Sequence, residues 1–89
     1  MKALVTGSGG LIGSECVNTL CGEGWEVVGV DNDMRARFFG PQGATTPVVD
    51  HLLARHRSYR HAALDIRDRS GVRELFERER PEFIIHAAA

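Results

Sequence analysis

Lysine is almost missing from this chain. Of its 11 basic side chains only one, Lys2, is a lysine. That scarcity excludes a G-x-x-x-x-G-K-[ST] phosphate loop, because no lysine follows the glycines near the start, and with it the kinase and ATPase readings. An excess of one charge is missing too. The formal net charge is −1, so no basic field favours nucleic acid or an anionic membrane as partner. No apolar run approaches the ~20 residues that a membrane span needs. Cysteine is limited to Cys16 and Cys21, five apart on one expected helix and projecting from different sides of it, which argues against a disulfide. Cys16 falls in an apolar stripe, as a small core residue does. Free thiols behind an opening "MKALVTG", too short for a signal peptide, imply a reducing compartment, the cytoplasm by default. The four histidines, His51, His56, His61 and His86, lack metal-ligand spacing, and no metal is expected.

Glycine, in contrast, is concentrated. "VTGSGGLIGS" (Val5 to Ser14) places Gly7, Gly9, Gly10 and Gly13 directly behind the first apolar run. Glycine costs backbone entropy, so the cluster needs a sharp turn or a close approach to the backbone to justify it.

Strand-like and helix-like segments alternate along the 89 residues. "KALVT" (Lys2 to Thr6) reads as a buried parallel strand. Leu11, Ile12, Cys16, Val17 and Leu20 recur at helical spacing, with Gly22 and Gly24 as the stop. "WEVVGVD" (Trp25 to Asp31) is a second strand that ends on an acid. A long connection follows, with Gly40, Pro41 and Gly43 and then a short helix, "PVVDHLLARH", for which Thr46 is the cap and Pro47 the first residue. Such a long connection in a compact domain is often functional. "RHAALDI" (Arg60 to Ile66) reads as a third strand. Asp68 caps a helix over Arg69 to Glu79 that buries Val72, Leu75 and Phe76 and ends at Pro81. "EFIIHAA" (Glu82 to Ala88) is a fourth strand.

The order β-α-β-α-β-α-β implies an α/β fold, a parallel sheet with right-handed crossovers and helices on both faces. A doubly wound nucleotide-binding (Rossmann) sheet of this kind has strand order 3-2-1-4 at its front, and its fourth strand is internal when the sheet is complete. Here the fourth strand is expected as a bare apolar edge, an aggregation liability. The expectation is therefore an incomplete sheet: residues 1–89 form the N-terminal part of a dinucleotide-binding domain, and the catalytic and substrate-binding parts lie elsewhere.

Strand, glycine cluster, helix, strand and acid form the arrangement in which a pyrophosphate sits on a helix N-terminus. One glycine permits the turn, one removes a side chain where phosphate meets backbone N–H groups, and one lets helix and strand pack closely. The usual G-x-G-x-x-G register fails at Ile12; T-G-x-x-G-x-x-G fits, with Thr6, Gly7, Gly10 and Gly13. Asp31 is placed to accept hydrogen bonds from the adenosine ribose. Its carboxylate repels a 2′-phosphate, which favours NAD over NADP, although Arg35 and Arg37 follow and an arginine accommodates that phosphate.

With these motifs, the pair Asp31-Asn32, "LDIRD" (Leu64 to Asp68) and "HAAA" (His86 to Ala89), the whole chain resembles the extended short-chain dehydrogenase/reductases, and within them the NAD-dependent nucleotide-sugar epimerase/dehydratase group. "VDNDMRARFFGPQGAT" (Val30 to Thr45) further resembles CDP-paratose 2-epimerase-like sequences. The resemblance implies roles for individual residues. Gly7, Gly10 and Gly13, with the backbone of Leu11 and Ile12, cradle the pyrophosphate, and Asp31 and Asn32 hold the ribose. Asp65 and Ile66 border adenine; Ala87, Ala88 and Ala89 line the path toward nicotinamide. Met34 and Arg35 reach the ribose or phosphates. Plainer roles stand beside these: Asp65 as a strand end or cap, the alanines as packing residues, Phe38 and Phe39 as anchors of the long connection.

The family's chemistry needs a Tyr-x-x-x-Lys pair and a nearby Ser or Thr, the tyrosine acting as base or acid. The one tyrosine here is Tyr59, and Ala63 stands four residues on. No catalytic residue is therefore assigned in this chain. The resemblance implies that a complete protein oxidises a sugar carbon by hydride transfer to NAD and reduces the ketone on its other face. Its partner is then a nucleotide sugar, and a homodimer is the expected assembly. Two rivals share the same front: a non-catalytic NAD(P)-binding regulator, and a reductase or dehydratase of the same superfamily.

Overall fold

The computed structural model describes residues 1–31 and 46–87. Its elements, in chain order, are β1 (Lys2–Thr6), α1 (Leu11–Gly22), β2 (Glu26–Val30), α2 (Thr46–Arg55), β3 (Tyr59–Ala62), α3 (Arg69–Glu79) and β4 (Phe83–His86). The strands form one sheet of order β3-β2-β1-β4, and all three pairings are parallel. This is the doubly wound α/β arrangement that the segment order implies.

β1 lies inside the sheet, with Leu4 in register between Val28 and Ile84 and Val5 between Gly29 and Ile85. Both of its faces are covered, so its apolar run is continuous rather than alternating; Ala3, Leu4 and Val5 are all buried. One face packs Val5, Val17, Val27, Leu52 and Tyr59 together, which brings in α1 and α2. The other packs Leu4, Val28, Val30 and Leu75, which brings in α3. Among the described residues, two helices on one face and one on the other follow from right-handed crossovers leaving β1 in opposite directions.

Several boundaries and faces differ from the sequence reading. β3 ends at Ala62 rather than Ile66, because the Arg67 N–H donates to Asp65 Oδ1 at 2.9 Å and the Asp68 N–H to the Asp65 carbonyl, also at 2.9 Å. The chain turns there, and Leu64 and Ile66 pack from the turn onto the second cluster. β2 begins after Trp25, whose ring meets Phe83 edge-on at 5.9 Å. β4 covers only Phe83–His86. The stripe of α1 starts late: Leu11 and Ile12 are exposed, Val17 is buried, and Cys16 and Leu20 pack against the first cluster. Both cysteines are free. On α3, Leu75 is buried but Phe76 is exposed, and the position that turns inward is Glu79, held by Lys2 Nζ at 3.3 Å and Arg60 Nη2 at 2.6 Å. Burial of this carboxyl opposes ionisation, but the hydrogen bond from Lys2 and the charge of Arg60 outweigh it and hold its pKa low. Asp68 caps α3 through the Gly71 N–H at 3.1 Å, and Arg80 closes it in the left-handed region at φ 46°. β4 lies at the sheet edge, with Phe83 and Ile84 exposed. Among the described residues no helix is long and apolar enough to cross a membrane.

Candidate cofactor site

The glycine cluster joins β1 to α1 at the carboxyl ends of the strands, beside the point where the crossovers from β1 diverge. Ligands of open α/β sheets bind in that crevice. Gly7 takes φ 72°, a left-handed turn that a side chain would strain. Its N–H reaches the Val30 carbonyl at 2.7 Å, and its own carbonyl accepts from the Gly10 N–H at 3.0 Å. A Cβ on Gly13 would collide with the Gly7 carbonyl and lie 3.0 Å from Ser8 Cα, so the helix can approach the turn only without a side chain there. Gly10 differs. Among the described residues, a Cβ there would meet nothing nearer than the Gly7 carbonyl at 3.4 Å. The packing of the described residues thus tolerates a side chain at Gly10, and bareness at that position leaves room on the outer side.

Gly10 is also the N-cap of α1. It provides no side-chain hydrogen bond, and the first turn holds no acidic residue. The N–H groups of Leu11, Ile12 and Gly13 lack intrahelical acceptors by helix geometry, and the positive end of the helix dipole adds to them. A helix N-terminus without a carboxylate of its own suits an anion. The donor set therefore fits a pyrophosphate.

Asp31 follows β2 on the other side of the turn. It is half-buried; its Oδ2 accepts from the Gly9 N–H at 3.0 Å, and its own N–H bonds the Ala62 carbonyl at 3.3 Å. The acid is thus fixed against the glycine turn from one side and β3 from the other. At the β1–β4 side, Thr6 Oγ1 lies 2.7 Å from His86 Nδ1, and the Ala87 N–H donates to the Thr6 carbonyl at 3.1 Å. Ala87 thereby stands beside the start of the glycine turn. Asp65 is engaged by its neighbour, with Arg67 Nη2 at 2.7 Å from its Oδ2, and Ile66 is half-buried. Asn32, Met34, Arg35, Arg37, Phe38, Phe39, Ala88 and Ala89 lie outside the described residues.

Three polar residues to which the sequence reading gave no part in the cofactor site stand behind the turn. Ser8 is fully buried and Tyr59 almost so. The Tyr59 hydroxyl donates to Ser8 Oγ at 2.9 Å and lies 3.1 Å from His61 Nδ1. Burial pushes the Tyr59 pKa up to about 12, with the hydrogen bond to Ser8 opposing and the nearby Asp31 charge assisting. Burial likewise lowers the His61 pKa, against the pull of Asp31 and Asp50. Burial thus favours the neutral phenol. Gly29, in mid-strand, was the available signal: a glycine there marks a close approach, and a Cβ on it would collide with the Tyr59 hydroxyl and crowd Ser8 Oγ at 2.5 Å. Among the described residues no group of three or more His, Cys, Asp or Glu side chains could hold a metal ion.

Comparison with known proteins agrees with this geometry. The model of the NAD dependent epimerase/dehydratase family matches residues 3–89. A probable dTDP-glucose 4,6-dehydratase of Sinorhizobium fredii is 38% identical over the whole chain, which covers 23% of that protein. Among solved structures, the UDP-Glc/GlcNAc 4-epimerase of Campylobacter jejuni superposes with a TM-score of 0.80 at 30% identity, over 99% of this chain and 24% of that one. The Thermus thermophilus UDP-glucose 4-epimerase, solved in complex with NAD, gives 0.74 at 31% identity, over 100% and 24%. This chain therefore spans about a quarter of the length of these relatives. With sheet order, glycine turn and family match in agreement, the chain belongs to the NAD dependent epimerase/dehydratase family.

Proposed function

We propose that this chain is the NAD-binding front part of a nucleotide-sugar epimerase or dehydratase. The observation that carries the reading is the glycine turn that runs into an uncapped helix N-terminus, with Asp31 fixed at its side by the Gly9 N–H. In this reading Gly7, Gly10 and Gly13 shape the cradle, and the N–H groups of Leu11, Ile12 and Gly13 bind the pyrophosphate. Asp31, with Asn32, holds the adenosine ribose, and Arg35 approaches it from the long connection. Asp65 and Ile66 border adenine, and Ala87, Ala88 and Ala89 leave space toward nicotinamide. For Asp65 this requires its carboxylate to share itself between Arg67 and the ligand. NAD is preferred to NADP because the Asp31 carboxylate opposes a 2′-phosphate.

Bound NAD supplies hydride acceptance and return; the residues of this chain bind and orient it. Acid–base catalysis and sugar recognition belong to parts of a larger protein, and the segment that resembles CDP-paratose 2-epimerase-like sequences points to the nucleotide sugar of that group. Solved relatives with NAD bound support the cofactor, among them epimerases of Thermus thermophilus and Stenotrophomonas maltophila. Calorimetric titration of NAD and NADP against the wild type and Asp31→Ala tests the reading. NAD should bind more tightly than NADP, and the variant should lose roughly 10- to 100-fold for NAD, the range of a hydrogen-bonded charge. Equal affinity of wild type and variant for NAD would remove Asp31 from the site.

A further inference from the structure

We infer that Tyr59 is a positioning residue for the phosphate-binding turn, acting through Ser8 and itself fixed by His61. The inference rests on the NAD-binding reading and adds to it a device that lies outside the glycine motif. The turn is held to the sheet by few direct bonds: Gly7 and Ser8 donate to the Val30 carbonyl, the second weakly at 3.4 Å, and Gly9 donates to Asp31. Ser8 is the one residue of the turn between Gly7 and Gly10 with a side chain, and that side chain points inward. It meets the Tyr59 hydroxyl at 2.9 Å, fifty-one residues away in sequence and two strands across the sheet.

Donor counting orders the chain of bonds. A phenol has one hydrogen. If Tyr59 gives it to Ser8 Oγ, it can only accept from His61, so His61 carries its proton on Nδ1. The Asp31 charge acts on the imidazole as well. The turn, β3 and the ribose acid are thus joined in one circuit: Asp31 to Gly9, along the turn to Ser8, then Tyr59 and His61, and from the adjoining Ala62 carbonyl back to the Asp31 N–H. Gly29 makes the circuit possible, because any side chain there would occupy the space of the Tyr59 hydroxyl. A phenylalanine at 59 would fill the same apolar space. The hydroxyl is therefore the part that the apolar core does not require, and all of its partners lead to the turn.

The test compares wild type, Tyr59→Phe, Ser8→Ala and the double variant in the full chain, with NAD titrated by calorimetry and adenosine by NMR shift perturbation. Each single variant should weaken NAD about three- to tenfold, the range of one hydrogen bond. The double variant should be no weaker than the poorer single, because both remove the same bond. Adenosine affinity should stay within twofold, since it lacks the pyrophosphate that the turn receives; a loss of general stability would move both ligands together. NAD affinity unchanged in Tyr59→Phe, or equal losses for NAD and adenosine, would overturn the inference. Failure of the wild type to bind NAD would instead sink the cofactor reading, so the two failures are distinct.

Discussion

The glycines of the turn are not equivalent, and each substitution should fail in its own way. At Gly13 a methyl group has no space, so Gly13→Ala must push α1 away from the Gly7 carbonyl. Overpacking of that kind costs about 1–3 kcal/mol, which urea unfolding should read as a lower midpoint. At Gly10 the packing of the described residues accepts a methyl group. Gly10→Ala should therefore leave the unfolding midpoint within a few tenths of its original value while weakening NAD, a separation that Gly13→Ala cannot show. The motif made these positions legible from sequence, because spacing alone singles out Gly7, Gly10 and Gly13. Ser8, Tyr59 and His61 were not legible. Their meeting depends on the pairing of Val27 with Tyr59 and of Gly29 with His61, and no local pattern fixes a register between strands so far apart in the chain. Tyr59 also carries a pH signature. Its pKa rises on folding from 10.0 to about 12, so the neutral phenol belongs to the folded state. The stabilisation is complete below pH 10 and is lost as pH rises through 12, up to about 3 kcal/mol for two units. Stability measured across that window should fall, and Tyr59→Phe should flatten the fall.

At the scale of elements, the helices are held by their ends as much as by their faces. Asp68 gives α3 a side-chain cap, and Asp68→Ala should cost about 1 kcal/mol in chemical unfolding. The other end offers the opposite change. Arg80 takes a left-handed conformation at φ 46°, which glycine adopts without a Cβ penalty. Arg80→Gly should raise stability by roughly 0.5–1 kcal/mol. The Asp68 cap was readable because cap chemistry is local. The end of β3 was not: "RHAALDI" looks apolar throughout, yet the Asp65 carboxylate captures the Arg67 N–H and turns the chain. A side chain that bonds the backbone two residues on competes with the sheet ladder. The inward face of α3 was misread for a related reason. Phe76 has the hydrophobicity for the core, but Glu79 has the partners, and Lys2 and Arg60 come from strands that only the fold brings near.

For the whole molecule, strand order and layer count followed from the alternation of segments, because chain handedness and short connections leave few other arrangements. The exposed Phe83 and Ile84 on the β4 edge bear out the expected apolar border of the sheet. The Glu79 cluster makes a prediction at this scale. The carboxyl's lowered pKa places its contribution above pH 4.5 and removes it as pH falls below that value. Glu79→Gln should destabilise the domain by about 1–2 kcal/mol at neutral pH, less than a fully buried pair because Arg60 is half in solvent, and thermal unfolding should then lose part of its acid sensitivity. The position of that cluster has a wider consequence. Glu79, Lys2 and Arg60 meet at the strands' amino ends, whereas the glycine turn is tied down at the carboxyl ends mainly by uncharged donors and acceptors. The domain has an ionic foot and a mostly dipolar mouth. Added salt should loosen the first while barely touching the second, so ionic strength can tune how firmly the sheet stands without reshaping the cleft above it.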